Sequence, residues 1–178
     1  MPRLIAINSE IRTKKLVFSL DGRLTQHYSC VMIPNFVDIG GPWKVLPPGI
    51  HNATLKEIES RFATTKHRKQ LFSGFRTGVM ALRKAGCRRI FIDGSFVTEK
   101  LIPDDFDVCW DPMGVDPTKL DPVFLDFKNK RKKQKMSFHG EFFPTSLPAD
   151  GKHVFLDFFQ IEKNTGKTKG IICISFPN

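Results

Sequence analysis

Residues 88–110 of the chain read RRIFIDGSFVTEKLIPDDFDVCW, two apolar runs separated by a polar loop. Residues 88–92 run into Gly94-Ser95 and are typical of a buried strand that ends at a turn. Residues 106–110 predict a second strand. The stretch therefore indicates two strands, with a glycine-serine turn at the end of the first.

Further strands are predicted at residues 153–160 and 171–176, joined by a segment rich in turn-forming residues. A helix near residues 117–127 is expected to pack across the sheet. Because helices come first and helical pieces then interrupt the strands, the order of elements favours the α+β class over regular β-α-β units. We therefore predict a mixed β-sheet flanked by helices.

Two helices are predicted before the 88–110 stretch. Thr54 and Glu57 have the spacing of a capping box, in which each side chain satisfies a free backbone N–H of the first turn. The second helix is predicted from about Lys66 to Lys84 and ends before Gly86. Its apolar residues recur at helical spacing: Leu71, Phe75, Val79 and Leu82.

The N-terminal segment predicts a β-hairpin made by residues 16–20 and 28–33, with Asp21-Gly22 near its bend. A linker rich in proline and glycine follows. We therefore predict two parts, a β-hairpin extension with linker at residues 1–45 and a main domain at residues 46–178.

The chain of 178 residues has a formal net charge of +10, which favours polyanionic partners such as nucleic acid or nucleotide phosphates. Part of this charge lies in residues 128–135. Such a run is either a solvated helix face or mobile loop, or a surface that binds nucleic acid. The candidate RNA-binding residues are Lys130, Arg131, Lys132 and Lys133.

The N-terminal residues lack the apolar core of a signal peptide, and no run of eighteen apolar residues occurs. The four cysteines lie far apart and form no metal-binding pair, so reduced thiols are expected. These features predict a cytoplasmic protein.

Three acidic residues stand where strands usually carry apolar side chains. Asp105 and Asp107 are two apart, so an extended backbone puts both carboxylates on one face, where their repulsion favours a bound cation. Asp157 lies within Val-Phe-Leu-Asp-Phe-Phe and must face water, be paired or ligate a metal. Three convergent carboxylates would suit Mg²⁺ or Mn²⁺.

Gly94 and Ser95 are candidate phosphate-binding residues. A glycine lets the backbone approach a phosphate closely, and the serine hydroxyl with the N–H groups of a following helical turn can hold its oxygens. Lys100 is either a further phosphate contact or a surface lysine.

The order of these motifs resembles the polymerase-beta-like nucleotidyltransferase superfamily, especially its minimal bacterial members and an uncharacterised bacterial branch. In that pattern a Gly-Ser is followed about ten residues later by Asp-x-Asp, and a third acidic residue lies on a later strand. Here the spacer is nine residues, and Phe96 and Val97 replace the small and basic residues that often follow the serine. The resemblance covers roughly residues 46–176.

The resemblance implies a nucleotidyltransferase-like sheet and transfer of a nucleoside monophosphate from an NTP to an acceptor hydroxyl. It implies that Asp105, Asp107 and Asp157 hold Mg²⁺ or Mn²⁺ and that Gly94 and Ser95 hold the phosphates. Small members of the superfamily modify RNA ends, proteins or small molecules, and several belong to toxin–antitoxin or phage-defence modules. With the positive charge, this favours RNA, such as a tRNA end, as the acceptor.

Two other functions remain open. A catalytically silent module of the same fold would bind RNA or a partner protein through its basic face. A hydrolase would use the same carboxylates on phosphodiesters, but it would lack an evident catalytic histidine. Among the scattered histidines, His139 in Phe-His-Gly-Glu-Phe is the first to test.

Overall fold

The computed structural model describes residues 33–177 and two strands near the N-terminus, β1 (Thr13–Phe18) and β2 (Leu24–Ser29). These strands pair antiparallel, which confirms a hairpin, although both strands begin earlier in the chain than the predicted residues 16–20 and 28–33. Its Asp21-Gly22 bend and Cys30 lie outside the described residues. The chain divides into two compact units, Met1–Met32 and Ile33–Asn178.

The second unit contains a five-stranded mixed sheet and four helices. In chain order the elements are β3 (Gly49–Asn52), α1 (Leu55–Phe62), α2 (Lys66–Lys84), β4 (Arg89–Asp93), β5 (Asp107–Trp110), α3 (Lys132–Phe138), β6 (Glu141–Pro144), α4 (Phe155–Phe158) and β7 (Gly170–Ser175). The strand order is β3-β7-β4-β5-β6. β4 is antiparallel to both β5 and β7, whereas β3–β7 and β5–β6 are parallel pairs. The α+β class is as predicted.

The first two helices form as their sequences indicate. Thr54 and Glu57 make the capping box: the Glu57 N–H donates to the Thr54 hydroxyl at 3.2 Å, and the Thr54 N–H donates to the Glu57 carboxylate at 2.6 Å. α2 spans the predicted residues and is followed by Gly86, whose φ of +100° suits glycine. No helix within residues 33–177 is long and apolar enough to cross a membrane.

α1 and α2 pack on one face of the sheet and enclose the main core. Residues alternate along each strand, so Ile90, Ile92, Val108 and Phe142 face these helices. The opposite face carries a smaller apolar cluster of Phe91, Cys109, Phe143, Phe159, Ile171 and Cys173. Each fully buried Phe or Ile contributes roughly 2–3 kcal/mol of transfer free energy, and the strands are therefore held from both sides.

The strand predicted at residues 153–160 does not form. Residues 155–158 make the single helical turn α4 instead. One turn brings Phe155 and Phe159 onto the same side, where their ring centroids lie 4.0 Å and 5.5 Å from that of Phe143. The apolar residues of this segment are thus buried by packing on the smaller cluster, and the segment does not join the sheet as a strand.

The helix predicted near residues 117–127 is present only as a 3₁₀ turn at Pro122–Leu125. The Asp116 carboxylate accepts from the Thr118 N–H at 3.0 Å, and the Asp121 carboxylate accepts from the Val123 N–H at 2.9 Å. These local side-chain bonds compete with helical hydrogen bonding and stabilise turns. The segment still buries Phe124 in the main core.

Candidate active site

A row of carboxylates crosses three neighbouring strands at one end of the sheet. Asp93 on β4 is the register partner of Asp107 on β5, and Asp107 is in turn the partner of Glu141 on β6. Register partners point to the same side of a sheet. These acids therefore lie on the face opposite α1 and α2, beside the smaller apolar cluster.

A cleft of about 690 Å³ opens over this row, a volume within the range of small-molecule sites. Asp105, two residues before Asp107, lines it as well, so the structure brings these two carboxylates together in one cleft. The cleft is also lined by Asp93, Gly94, Ser95, Lys100, Lys169, Trp43 and Phe158.

The glycine-serine turn is pressed against the strand that carries Asp107. Gly94 has a φ of +85°, and a Cβ there would lie 2.8 Å from the Asp107 nitrogen and 3.1 Å from its carboxylate. Only glycine fits this close approach. The Ser95 hydroxyl accepts from the Asp104 N–H at 3.0 Å and donates to the Asp105 carbonyl at 3.2 Å. Ser95 therefore ties the turn to the loop before β5.

The two residues that depart from the superfamily pattern lie in the core. Phe96 and Val97 are buried, and the turn Ser95–Val97 is a short 3₁₀ segment. Their side chains pack beneath the loop rather than facing the cleft. They therefore anchor the glycine-serine turn without contacting a ligand.

Arg68 of α2 fixes the loop that follows the glycine-serine turn. Its buried guanidinium donates to the Phe96 carbonyl at 2.8 Å, the Thr98 carbonyl at 3.1 Å and the Lys100 carbonyl at 2.7 Å. It also donates to the Phe62 carbonyl and lies over the Phe96 ring. Nothing in the spacing of residues distinguishes Arg68 from the other basic residues of α2, because only the fold brings the loop to it.

Within residues 33–177, no basic side chain pairs with the carboxylates at the centre of the row. Burial, the largest cause, and the neighbouring acids Asp105, Asp93 and Glu141 together raise the pKa of Asp107 to about 8, and the charge of Lys169 offsets only part of the rise. Burial, then Glu141, also raises the pKa of Asp105. Within residues 33–177, neither carboxylate accepts a hydrogen bond. Two half-buried, uncompensated acids are the electrostatic setting in which a cation stabilises the fold.

This raised pKa predicts a falling stability as pH increases. An aspartate in the unfolded chain titrates near 3.8, and Asp107 titrates at about 8 when folded. Between these values the folded protein keeps a proton that the unfolded chain has lost, so the free energy of unfolding decreases as the pH rises from about 4 to about 8. Urea unfolding of metal-free protein from pH 5 to pH 9 measures the effect. Asp107→Asn should flatten the decline, and a wild-type curve parallel to that of the variant would contradict the assignment.

Basic side chains pair with the outer members of the row. Lys169 pairs with the buried Asp93 carboxylate. The two Glu141 oxygens each meet a cation at 2.6 Å, Oε2 with Arg131 Nε and Oε1 with Lys135 Nζ. Positive charge thus surrounds Asp105 and Asp107 without neutralising them directly.

Lys100, the candidate phosphate contact, lines the cleft but is already paired. Its ammonium group binds the exposed carboxylate of Asp104, four residues later. Because Asp104 is largely exposed, the pair is a weak one. Lys100 can therefore exchange this partner for another anion in the cleft.

Asp157 does not join Asp105 and Asp107, so this part of the sequence prediction is wrong. Its side chain is exposed on α4 and is not among the residues that line the cleft. When Phe155 and Phe159 turn inward, the residue between them turns to solvent. Asp93 is the third sheet acid that lines the cleft. Glu141, the register partner of Asp107, lies next to it without lining the cleft. Neither acid was predicted from the sequence; for Glu141, the available signal was an acid directly before Phe142-Phe143.

The four basic residues predicted to bind nucleic acid fall into two groups. Arg131 pairs with Glu141, and Lys133 pairs with Asp126 at 2.9 Å. Lys130 and Lys132 are exposed, and no acid in the described part of the chain pairs with them. Residues 129–131 have positive φ values between 48° and 58°, after which α3 begins. Lys130 and Lys132 are therefore the members open to a polyanion.

The acids fit a metal that is shared with a phosphate ligand better than a metal held by protein alone. Within residues 33–177, no three His, Cys, Asp or Glu side chains are arranged to hold a metal ion. Asp105 and Asp107 supply carboxylate oxygens, and Mg²⁺ commonly uses one or two carboxylates with substrate phosphates and water. Cys87, Cys109 and Cys173 are buried thiols, and burial raises the pKa of each, so none is an activated nucleophile or a metal ligand.

Comparison with known protein families matches residues 41–175 to the family of unknown function DUF6932. The matched region includes all of the cleft residues and leaves out the N-terminal hairpin. No curated protein and no solved structure matches the chain.

Proposed function

The chain belongs to the DUF6932 family, and from its cleft we propose that it is a metal-dependent nucleotidyltransferase. It moves a nucleoside monophosphate from an NTP to an acceptor hydroxyl. One observation carries the proposal: Asp105 and Asp107, uncompensated within the described residues, lie beside the close-fitting Gly94 in a cleft of about 690 Å³.

In this proposal Asp105 and Asp107 hold Mg²⁺ or Mn²⁺, which would neutralise phosphate charge and lower the pKa of the acceptor hydroxyl. Gly94 lets the glycine-serine turn pack directly against β5 at the edge of the cleft, and Lys100 leaves its exposed partner Asp104 to contact the phosphates. Lys169 neutralises the charge of Asp93. The negative charge that faces the ligand therefore comes from Asp105 and Asp107. The residues mainly position the ligand and balance its charge.

Glu141 takes the place that the sequence analysis gave to Asp157. It is the register partner of Asp107 and faces the same side of the sheet. Its two ion pairs, with Arg131 and Lys135, keep the Glu141 charge balanced when no ligand is present. In the proposal it either completes the metal shell or accepts the proton of the acceptor hydroxyl.

RNA is the proposed acceptor. A second pocket indicates the side from which an RNA end would reach the carboxylates. Asp105 also lines a pocket of about 420 Å³, together with Lys135, His139 and His67. This pocket adjoins α3, at whose start the exposed Lys130 and Lys132 lie. Phosphates held by these lysines would bring a strand end towards Asp105. The proposal includes a cytoplasmic location and a possible partner protein of a toxin–antitoxin or phage-defence module.

Transfer of label from nucleotides tests the proposal. The protein is incubated with Mg²⁺, total RNA and total protein, and each NTP labelled at the α-phosphate or, separately, at the γ-phosphate. We expect label on an RNA band from α-labelled nucleotides and none from the corresponding γ-labelled forms, because pyrophosphate leaves. Asp105→Asn should give no band.

The outcomes separate the acceptors. An RNA band that weakens with added salt and with Lys130→Gln/Lys132→Gln identifies RNA through its phosphates. A labelled protein band would support the nucleotidyltransferase activity and show that the acceptor is a protein and not RNA. Label from the γ-phosphate alone would indicate phosphoryl transfer, and an empty gel with every nucleotide would contradict the enzyme.

A catalytically silent module of this fold is the second candidate, and the pairing of Glu141 favours it. Both Glu141 oxygens are taken by protein cations, which leaves two carboxylates for a metal. Titration with Mg²⁺ or Mn²⁺ in the presence of an NTP separates the two functions. A metal site raises the melting temperature by mass action, whereas a silent module keeps the same melting temperature.

A further inference from the structure

We propose that Trp43 and Phe158 form the nucleobase site of the cleft, holding the base of the NTP by stacking. The inference deepens the proposed function and rests on it. It names the part of the substrate that the carboxylates and the glycine-serine turn do not explain. Both rings line the same cleft as Gly94, Asp105 and Asp107.

Trp43 lies on a segment whose backbone is held in place while its ring stays open. The neighbouring Lys44 carbonyl accepts from the Glu99 N–H at 3.0 Å, and Val45 pairs with Val37 through two backbone hydrogen bonds of 2.8 and 3.0 Å. Val45 is buried, yet Trp43 is 44% exposed. A fixed backbone with an exposed aromatic ring is costly to leave in water, and it presents a prepared surface to a flat ligand.

Phe158, which comes from a distant segment of the chain, also combines a fixed backbone with an exposed ring. It lies on α4, whose orientation is set by Phe155 and Phe159 packing on Phe143. Its own ring touches only the edge of this cluster, with a centroid 6.0 Å from that of Phe159, and it is 39% exposed. The same turn that sends Asp157 to solvent therefore places an aromatic ring at the cleft.

The composition of the cleft indicates a ligand with one flat apolar part and one anionic part. Aromatic rings lie in it together with Gly94, Lys100 and the two central acids. An acyl chain would use the rings but not the acids, and inorganic phosphate with a metal ion would use the acids but not the rings. A nucleoside triphosphate with its metal uses both, because every base has a face that stacks on an aromatic ring.

Stacking on two rings predicts broad rather than strict base selection. The energy of a base on an aromatic ring depends little on its hydrogen-bonding edge. Purines, with the larger face, are expected to bind more tightly than pyrimidines. This separates the inference from a site that reads base edges, which would accept one base and exclude the others.

Tryptophan fluorescence and paired ligands test the inference. The chain has two tryptophans, and Trp110 is buried whereas Trp43 is exposed, so quenching by a bound nucleotide reports on Trp43. The full-length protein is titrated with ATP, CTP and inorganic tripolyphosphate, each with Mg²⁺, and dissociation constants are measured by calorimetry. We expect quenching by the nucleotides alone and tighter binding of ATP than of tripolyphosphate.

Variants of Trp43 and Phe158 test whether their rings cause the tighter binding of ATP. Trp43→Ala and Phe158→Ala should each weaken ATP binding about ten-fold and leave tripolyphosphate binding unchanged. Trp43→Phe should keep most of the affinity and lose the quenching, and thermal unfolding of each variant checks that it is folded. Leu101→Ala is the matched control, since Leu101 is 82% exposed and does not line the cleft.

The possible failures are distinguishable. If tripolyphosphate binds but ATP binds no tighter, or if Trp43→Ala weakens both ligands equally, the base site is overturned and the metal and phosphate site remains. If neither ligand binds in the presence of Mg²⁺, the proposed function fails and the base site fails with it.

Discussion

Asp107→Asn is expected to lower nucleotide transfer by about a thousand-fold, because the variant loses a carboxylate that holds charge at the reacting phosphate. The same change should leave the metal-free fold intact. With a pKa of about 8, Asp107 is mostly protonated at pH 7, and asparagine resembles that neutral form. We expect an equal melting temperature at pH 7 and a higher one than wild type at pH 9, where the wild-type carboxylate is charged.

The measurement combines a single-turnover transfer assay with thermal unfolding in the presence and absence of Mg²⁺ and NTP. The metal-dependent rise in melting temperature should vanish with Asp107→Asn. Asp157→Asn is the matched control, since Asp157 is exposed on α4 and does not line the cleft, and it should match wild type in both assays. Transfer by Asp107→Asn within ten-fold of wild type, or loss of transfer in Asp157→Asn, would contradict the assignment of the site.

The raised pKa also determines how metal binding depends on pH. A carboxyl that holds a proton must release it before it can ligate a cation, so binding should release protons and tighten as the pH rises towards 8. The fold thus keeps Asp107 neutral without ligand and makes its charge available when a cation arrives.

Local features of this fold could be predicted from the sequence. The Thr54–Glu57 capping box depends on residues three apart, and the spacing in α2 repeats over nineteen residues. The prediction that Asp105 and Asp107 face the same side also depends on two positions that are only two residues apart. These patterns lie within short segments, so they can be recognised without knowledge of the tertiary structure.

The features that could not be predicted from the sequence depend on contacts between distant segments. Residues 153–160 are apolar enough for either a strand or a helical turn, and packing on Phe143 decides for the turn. Glu141 enters the site only because β6 pairs in parallel with β5 and brings it opposite Asp107. Such a pairing register cannot be deduced from spacing, because thirty residues separate the two strands along the chain.

Arg68 shows the same dependence, and its removal is the largest stability change that we expect. Arg68→Met keeps the aliphatic part of the side chain but removes its four hydrogen bonds to carbonyls of residues 62, 96, 98 and 100. The carbonyls of Phe62 and Phe96 lie in buried surroundings and lose their donor, whereas water can reach those of Thr98 and Lys100. At roughly 1–2 kcal/mol for each buried acceptor, the free energy of unfolding should fall by about 3 kcal/mol.

Chemical denaturation measures this loss, and hydrogen exchange locates it. The amides of the 94–100 loop should exchange faster in Arg68→Met, because the guanidinium joins that loop to α2. Arg89→Met is the control: Arg89 makes two hydrogen bonds to Asp111, but its side chain is 57% exposed, and such pairs contribute about 1 kcal/mol or less. If the two variants lose equal stability, or if exchange in the loop is unchanged, Arg68 does not hold the glycine-serine turn over the carboxylates, and the geometry of the cleft must be maintained by Ser95 and the buried Phe96 instead.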